Sequence, residues 1–308
     1  MEGYHRSVLL GEAIEALEVK RDKWYLDCTL GDGGHSIEII KRGGKVVGID
    51  TDPEALERAK NRLQAFGSEA QARRGAGYSE QDFKLIQGNF RDLRNLIPAS
   101  PAKRGEQTGT KFAGVLFDLG VSSLQLESSN RGFSFMLEGP LDMRMDPGLQ
   151  VQAKDLLQVL SRKELYELFK NLGEEKYSWT LANALVSARE IATTTQLRRV
   201  VEKVVGGRSG KIHPATRVFQ ALRIAVNSEL DGLSEALPQA LEVLNKNGCI
   251  VVVSFHSLED RIVKNIFKRW NYEGMGEVIT KKPVVPGKME VDENPRSRSA
   301  KMRVFKKT

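Results

Sequence analysis

Trp24-Tyr25-Leu26-Asp27-Cys28-Thr29-Leu30-Gly31-Asp32-Gly33-Gly34-His35-Ser36 opens a segment that closes on Lys45-Val46-Val47-Gly48-Ile49-Asp50-Thr51-Asp52. The first apolar run reads as a strand ending at Asp27. Gly31, Gly33 and Gly34 follow at once, and glycine lets a backbone turn sharply and approach a ligand closely. A helix over residues 36–41 leads into a second strand, 45–49, which Asp50 closes. In a strand–turn–helix–strand unit, an acid roughly 20 residues on can accept hydrogen bonds from a ribose diol. The stretch therefore reads as a nucleoside-cofactor site at the carboxyl ends of a parallel sheet.

The glycine order decides which cofactor fits. Gly31-Asp32-Gly33-Gly34-His35-Ser36 lacks the third glycine of a dinucleotide fingerprint. With Asp27 ahead of it, the turn resembles the Asp-x-Gly-x-Gly turn of S-adenosylmethionine methyltransferases. That cofactor has no pyrophosphate to seat on a helix N-terminus. It has an amino-acid tail, whose ammonium needs an acceptor near the turn. On this stretch alone a dinucleotide and a plain structural turn remain open.

Outward from the turn, apolar residues at helical spacing (Val8, Leu9, Ala13, Ile14, Leu17) predict a helix within residues 5–17. Asp52-Pro53-Glu54 is a helix start, with a capping acid, a first-turn proline and a second acid at the positive end. That helix is expected to reach about residue 66, with a loop over 67–81. Strand 83–86, Phe90, a short helix over 92–96 and a Pro/Gly/Lys-rich loop over 98–111 follow. Strand 113–117 ends in Asp118-Leu119-Gly120. The alternation then stops. Residues 121–213 hold no convincing buried strand, but helical patterns recur at 153–160, 162–172, 174–191 and 194–205. Two more helices, from 214 to about 245, precede strand 249–253 and Ser254-Phe255-His256. A helix over 257–270 and an antiparallel pair, 277–281 with 301–305, finish the chain. The expected organisation is an α/β domain over 1–122 and 214–308, interrupted by a helical insertion over 123–213. Strands alternating with helices imply a parallel sheet covered on both faces, and such sheets bind ligands at the strand carboxyl ends. Five of those ends carry candidate groups: Asp27 with Gly31 and its neighbours, Asp50, Phe90, Asp118, and Phe255 with His256.

The 308 residues carry a formal charge of +7, and nine Lys/Arg against three acids lie in residues 281–308. A basic end segment suits an anionic partner, most often nucleic acid. Cys28 and Cys249 sit in apolar strand contexts and read as reduced core residues, which suits the cytoplasm. No zinc spacing, secretory leader or membrane-length apolar run is readable, so neither a metal nor a membrane is expected.

Longer motifs then carry a resemblance. Residues 5–12, Asp27 to Ser36, Asp118-Leu119-Gly120-Val121-Ser122-Ser123, Arg131 to Phe135, Gly139 to Pro147, His213 to Glu229, Ser254 to Lys264 and Asn294 to Ser299 match, in order, the RsmH (MraW) ribosomal RNA small-subunit methyltransferases. The resemblance implies a class I S-adenosylmethionine methyltransferase fold with an all-helical insertion. It also implies methylation at the exocyclic N4 of a decoding-centre (P-site) cytidine in the 16S rRNA of the small ribosomal subunit. Family cofactor contacts carry over to Gly33, Gly34, His35, Asp50, Phe90, Asp118 and Gln125, beside Asp27 and Gly31 from the turn itself. Cytosine N4 is a poor nucleophile, so acceptors on its hydrogens are needed, and Asp118 and His256 are the catalytic candidates. DNA amino-methyltransferases place two prolines and an aromatic after the acceptor. Here Leu119-Gly120-Val121 follows, so another ring must stack the base; Phe133, Phe135 and Phe255, with His256, are the candidates. Arg217, Arg296 and Arg298, with Lys211, Arg223, Lys301 and Arg303, are expected on RNA phosphates. Competing readings are a DNA or other acceptor, and an assembly factor that binds cofactor and rRNA without turnover. Oligomeric state is not written in the chain.

Overall fold

A computed structural model describes residues 7–74, 82–97, 111–188, 190–206 and 213–308. Its sheet has seven strands: β1 (Trp24–Asp27), β2 (Lys45–Asp50), β3 (Phe83–Gln87), β4 (Phe112–Asp118), β5 (Leu244–Ser254), β6 (Gly276–Val278) and β7 (Lys301–Lys307), in the order β3-β2-β1-β4-β5-β7-β6. β1 pairs parallel with β2 on one side and β4 on the other, with Asp27 level with Gly48 and Leu116. β7 runs antiparallel to both β5 and β6.

The strands read as continuous apolar runs because both faces are covered, and period 2 sorts their side chains. Leu26, Val47, Ile49, Val115, Phe117, Ile250, Val252 and Phe305 build one core cluster. Tyr25, Val46, Leu116, Val251, Val253 and Val304 build the other. Helices α1 (Leu10–Ala16), α2 (Gly34–Lys41) and α3 (Pro53–Arg74) bring Ile14, Ile39 and Leu63 to the second cluster. α4 (Leu93–Leu96) contributes Leu93 to the first.

The remaining helices are α5 (Ser123–Glu127), α6 (Ala153–Val159), α7 (Arg162–Gly173), α8 (Ser178–Ala188), α9 (Thr194–Val205), α10 (Ala215–Asn227), α11 (Glu229–Val243), α12 (Ser257–Tyr272) and α13 (Lys288–Glu293). Leu237 of α11 and Phe267 of α12 join the first sheet cluster. α6 to α10 bury a core of their own around Leu165, Phe169, Leu181, Leu197, Val218 and Leu222. Contacts divide the chain into Met1–Gly120 with Leu230–Thr308, and Val121–Glu229.

That division moves the far boundary of the insertion from residue 213 to 229. α10 buries Ala215, Val218, Phe219, Ala221, Leu222 and Val226 in the helical core, so it belongs there and not with the sheet. Gly173 fits the same packing: a Cβ on it would stand 2.8 Å from the Arg217 carbonyl oxygen, so α7 and α10 meet nearly backbone to backbone. A second difference is the length of α3, which runs through Gly67 to Arg74 where a loop was expected. One glycine costs a helix about 1 kcal/mol, and the Ala, Glu, Gln and Arg residues beyond it are good helix formers. The expected loops over 75–81 and 98–110 lie outside the described residues. α5 went unread, although Ser122 and Gln125 form a complete capping box at its start.

Phe169 is 0% exposed at the centre of the helical core. Phe169→Ala is expected to cost about 3–5 kcal/mol. Denaturant unfolding followed by circular dichroism checks it; a loss below about 1 kcal/mol would mean the core closes over the cavity or is not the source of that unit's stability.

Candidate active site

The turn after β1 is held by its own acids. Asp27 is 1% exposed. Its Oδ2 accepts the Ser36 hydroxyl at 2.7 Å and its Oδ1 the Thr29 N–H at 3.2 Å. Asp50, at the end of β2, accepts the Gly31 N–H on Oδ2 at 2.8 Å and the Asp52 N–H on Oδ1 at 2.9 Å. Gly31 and Gly33 take φ +50° and +73°, a region that L side chains rarely adopt. Gly33 is the N-cap of α2. Asp32 turns away from the strand ends, where Arg58 binds it at 2.9 and 3.1 Å and Arg62 donates to its carbonyl.

Asp118 ends β4. Its N–H donates to Thr29 Oγ1 at 2.6 Å, locking β4 to the turn. Its Oδ2 lies 3.6 Å from His35 Nδ1, and both side chains are largely buried. Its Oδ1 is buried with no hydrogen-bond partner among the described residues. Phe90 follows β3 in a single 3-10 turn, Phe90–Asp92, with its ring edge-on to Phe117 at 5.7 Å. Arg91 is drawn aside to Glu235 at 2.5 and 2.6 Å, which fixes the turn on α11.

Three carboxyls thus converge at the ends of β1, β2 and β4, and their protonation reflects it. Burial pushes Asp27 up to about 6, against the hydrogen bonds from Ser36 and Thr29. Burial likewise raises Asp50 to about 6, against the Asp52 and Gly31 N–H groups. Asp118 lies well above the usual carboxylate range, first through burial and then through the charges of Asp27 and Glu259. A buried, like-charged set with one orphaned oxygen suits a cationic ligand, which would draw all three back to the anionic form.

Past β5, His256 caps α12. Its Nδ1 accepts the Glu259 N–H at 3.4 Å, while Glu259 Oε2 accepts the N–H groups of Phe255 and His256 at 2.8 and 3.2 Å. His256 Nε2 stands 3.2 Å from Glu259 Oε1. The histidine expected to act on the base therefore has a local task, as half of a capping box. Glu259, 2% exposed, was not singled out in the sequence; an acid three residues after a strand-end His carries the capping-box spacing, but histidine is an uncommon cap. Phe255 is half-buried, and a Cβ on Gly120 would touch its ring at 3.5 Å.

Arg296 and Arg298 stand exposed on the 3-10 turn Pro295–Ser299. Arg303, expected on RNA, is 7% exposed and donates to Asp260 at 2.6 Å, because β7 carries it into the sheet. Lys301 lies 3.4 Å from the same carboxylate.

The other expected site residues belong to the helical unit. Gln125 is buried, and its Oε1 accepts the Ser122 N–H at 3.1 Å. Phe133, 7% exposed, packs in the helical core. Phe135 stacks on His213 at 4.6 Å and meets Phe219 edge-on at 5.4 Å, so its ring is engaged on two sides. Arg217 is 3.9 Å from Glu175 with 40% of its side chain exposed. Arg223 donates to Glu229 at 2.8 and 2.9 Å. Lys211 lies outside the described residues.

Residues 2–308 match the MraW methylase family. A Ribosomal RNA small subunit methyltransferase H from Acidobacterium capsulatum is 44% identical over 98% of this chain and 98% of its own length. Proteins of the same name from Dehalococcoides mccartyi and a Synechococcus species are 42% and 45% identical over 97% of this chain, and over 85% and 91% of their own. The strand order, the glycine turn and the acids at its rim are accounted for together: the chain belongs to the MraW methylase family, as an S-adenosylmethionine-dependent methyltransferase on the class I fold.

Proposed function

We propose that this protein methylates the N4 amine of a P-site cytidine in the 16S rRNA of the small ribosomal subunit, acting in the cytoplasm. The rRNA acceptor is supported by relatives that carry that name across nearly the whole chain. The observation that carries the chemistry is Asp118 Oδ1, a buried acceptor at the end of β4 without a partner among the described residues.

When bound, S-adenosylmethionine supplies an activated methyl group on a sulfonium. The chain's residues divide the work of holding it. Asp50 keeps lone pairs beyond its two backbone bonds and would take the ribose diol. Asp27 and the turn residues Gly33, Gly34 and His35 would flank the amino-acid tail, with the Gly33 N–H itself already donating to the Leu30 carbonyl at 2.8 Å. Phe90 would offer a ring face to the adenine. Gln125 remains a proposed contact through the family likeness.

Asp118 then acts on the acceptor. The lone pair of cytosine N4 is delocalised into the ring, so the amine becomes nucleophilic only as its hydrogens are held. A carboxylate oxygen on an N4 hydrogen stabilises the charge that develops on nitrogen, and it accepts the proton that nitrogen sheds. Phe255, half-buried beside Gly120, is the proposed stacking surface for the extruded base. His256 adds its ring edge on the same strand end. The RNA itself is held by phosphate contacts, among them Arg296, Arg298 and Arg217.

Labelled methyl transfer to small subunits from cells lacking the native enzyme, with nucleoside digestion and mass spectrometry, should yield N4-methylcytidine. Asp118→Ala should lower that yield at least 100-fold while keeping its fold, the scale of a lost transition-state acceptor. Label on another atom or on DNA would replace the acceptor; an active Asp118→Ala would remove the acid from the chemistry.

Cofactor affinity should also follow pH. Asp27, the acid beside the ammonium-bearing tail, holds its proton below about 6 and accepts a cation only above it. Binding measured by calorimetry should be flat above about pH 7 and weaken by up to tenfold per unit below 6, since one pKa unit is about 1.4 kcal/mol. Affinity unchanged down to pH 5 would place the cation elsewhere.

Arg296→Ala with Arg298→Ala should weaken RNA binding and flatten its log–log salt slope by about 1.4 to 1.8, two contacts at about 0.7–0.9 each. Cofactor affinity should not change. Loss of cofactor binding instead would make the Pro295–Ser299 turn a structural support of the site.

A further inference from the structure

We propose that His35 is a positioning residue for methyl transfer: its ring Nδ1 holds Oδ2 of Asp118, so that Oδ1 is presented to the acceptor amine. The proposal rests on the reading of Asp118 given above and extends it to a side chain whose family role is read only as a cofactor contact.

The geometry is local and rigid. His35 is the second residue of α2, directly after Gly33 and Gly34, and it is 4% exposed. Its Nδ1 is 3.6 Å from Asp118 Oδ2, longer than a finished hydrogen bond. Catalytic hydrogen bonds in unliganded proteins are often long and tighten on binding. The Asp118 backbone is fixed separately by Thr29 Oγ1 at 2.6 Å, so its two side-chain torsions are what place the carboxylate, and Nδ1 lies nearest one of the two oxygens. The other oxygen is the buried one without a partner among the described residues.

Charge gives the pair its purpose. The titratable groups around Asp118 are Asp27 from β1, Glu259 from α12 and His35 from α2. Two of the three are acids, and with burial they push the Asp118 carboxyl up. A protonated Asp118 cannot take a proton. An N–H on Oδ2 favours the anion. In the transfer, the N4 lone pair forms the N–CH3 bond as the C–S bond breaks with its electron pair on sulfur. The resulting positive charge on N4 is discharged by loss of its proton to Asp118 Oδ1, leaving a neutral carboxylic acid and the methylated amine. His35 neither donates nor accepts in that balance. It sets which oxygen acts and how readily the carboxyl ionises.

The test compares three proteins and one spectrum. His35→Leu removes the N–H; His35→Asn restores an amide N–H near the position of Nδ1. His35→Leu should lower kcat on small subunits about 100-fold, the scale of one preorganised donor, with KM for cofactor and subunit little changed. The acid limb of its kcat–pH profile should move up by about one unit or more, because the undonated carboxyl ionises later. His35→Asn should recover most of kcat and return the limb toward the wild-type position. Wild-type kcat and pH profile in His35→Leu, or a loss confined to cofactor affinity, would overturn the proposal. Should His35→Leu fail to fold, 15N NMR of the wild-type free protein decides. With only four histidines in the chain, the His35 ring is assignable. Nδ1 should carry a proton, and its resonance should shift in Asp118→Asn; an unprotonated Nδ1, or no shift, overturns the pairing. The spectrum needs no substrate. A wild-type enzyme that makes no N4-methylcytidine would therefore overturn the reading of the reaction and leave the pairing to be judged on the NMR alone.

Discussion

The hydrogen bond from the Gly31 N–H to Asp50, 2.8 Å long, joins the end of β2 to the turn that leaves β1, and the site is assembled around it. The turn can deliver that N–H only because Gly31 and Gly33 adopt left-handed φ values. With the backbone so placed, Ser36 at the start of α2 reaches Asp27, Thr29 reaches the backbone of Asp118, and Asp32 swings out to Arg58. One glycine turn therefore fixes three strand ends and two helices. A buried carboxylate accepting two backbone N–H groups is costly to unmake, since the donors would be left without partners.

Those same carboxyls are in conflict with one another. Asp27 is raised in part by Asp50, and Asp118 by Asp27 and Glu259. Hydrogen bonds offset part of the burial penalty at Asp27 and Asp50, which stay near 6, whereas Asp118 is raised well above the usual carboxylate range by burial and then by Asp27 and Glu259. The site is thus built with a graded set of acids, the most strained at the end of the central β4 strand. Structures retain such strain where a ligand relieves it, which is why perturbed acids cluster at functional sites.

The sheet was readable because its physics is repetitive. Doubly covered strands leave continuous apolar runs, and the first five lead into a residue with chemistry at or just past their ends: Asp27, Asp50, Phe90, Asp118, Phe255. What was not readable depended on contacts distant in sequence. α10 carries an apolar stripe that would suit either unit, and only its fit against Gly173 and Phe169 assigns it to the helical one. Phe133 looks the same in sequence whether it faces a base or a core. His256 and Glu259 were hidden for the opposite reason, since their interaction is entirely local but uses an uncommon capping residue.

The basic end segment shows how far composition reaches. Its nine Lys and Arg residues read as one charged tail, yet β7 incorporates four of them. Lys301 and Arg303 share Asp260, Lys306 binds Glu18 at 2.6 Å, and Lys307 donates to the carbonyls of Leu241 and Leu244 at 2.6 and 2.9 Å. These cations hold the antiparallel strand that lies between β5 and β6. The other five, Lys281, Lys282, Lys288, Arg296 and Arg298, are exposed and sit before β7, around α13 and the Pro295–Ser299 turn. A phosphate backbone meets charge that water can reach, so the electrostatic footprint of this segment belongs to residues 281–298, and the strand that follows supplies the rigid base from which they project.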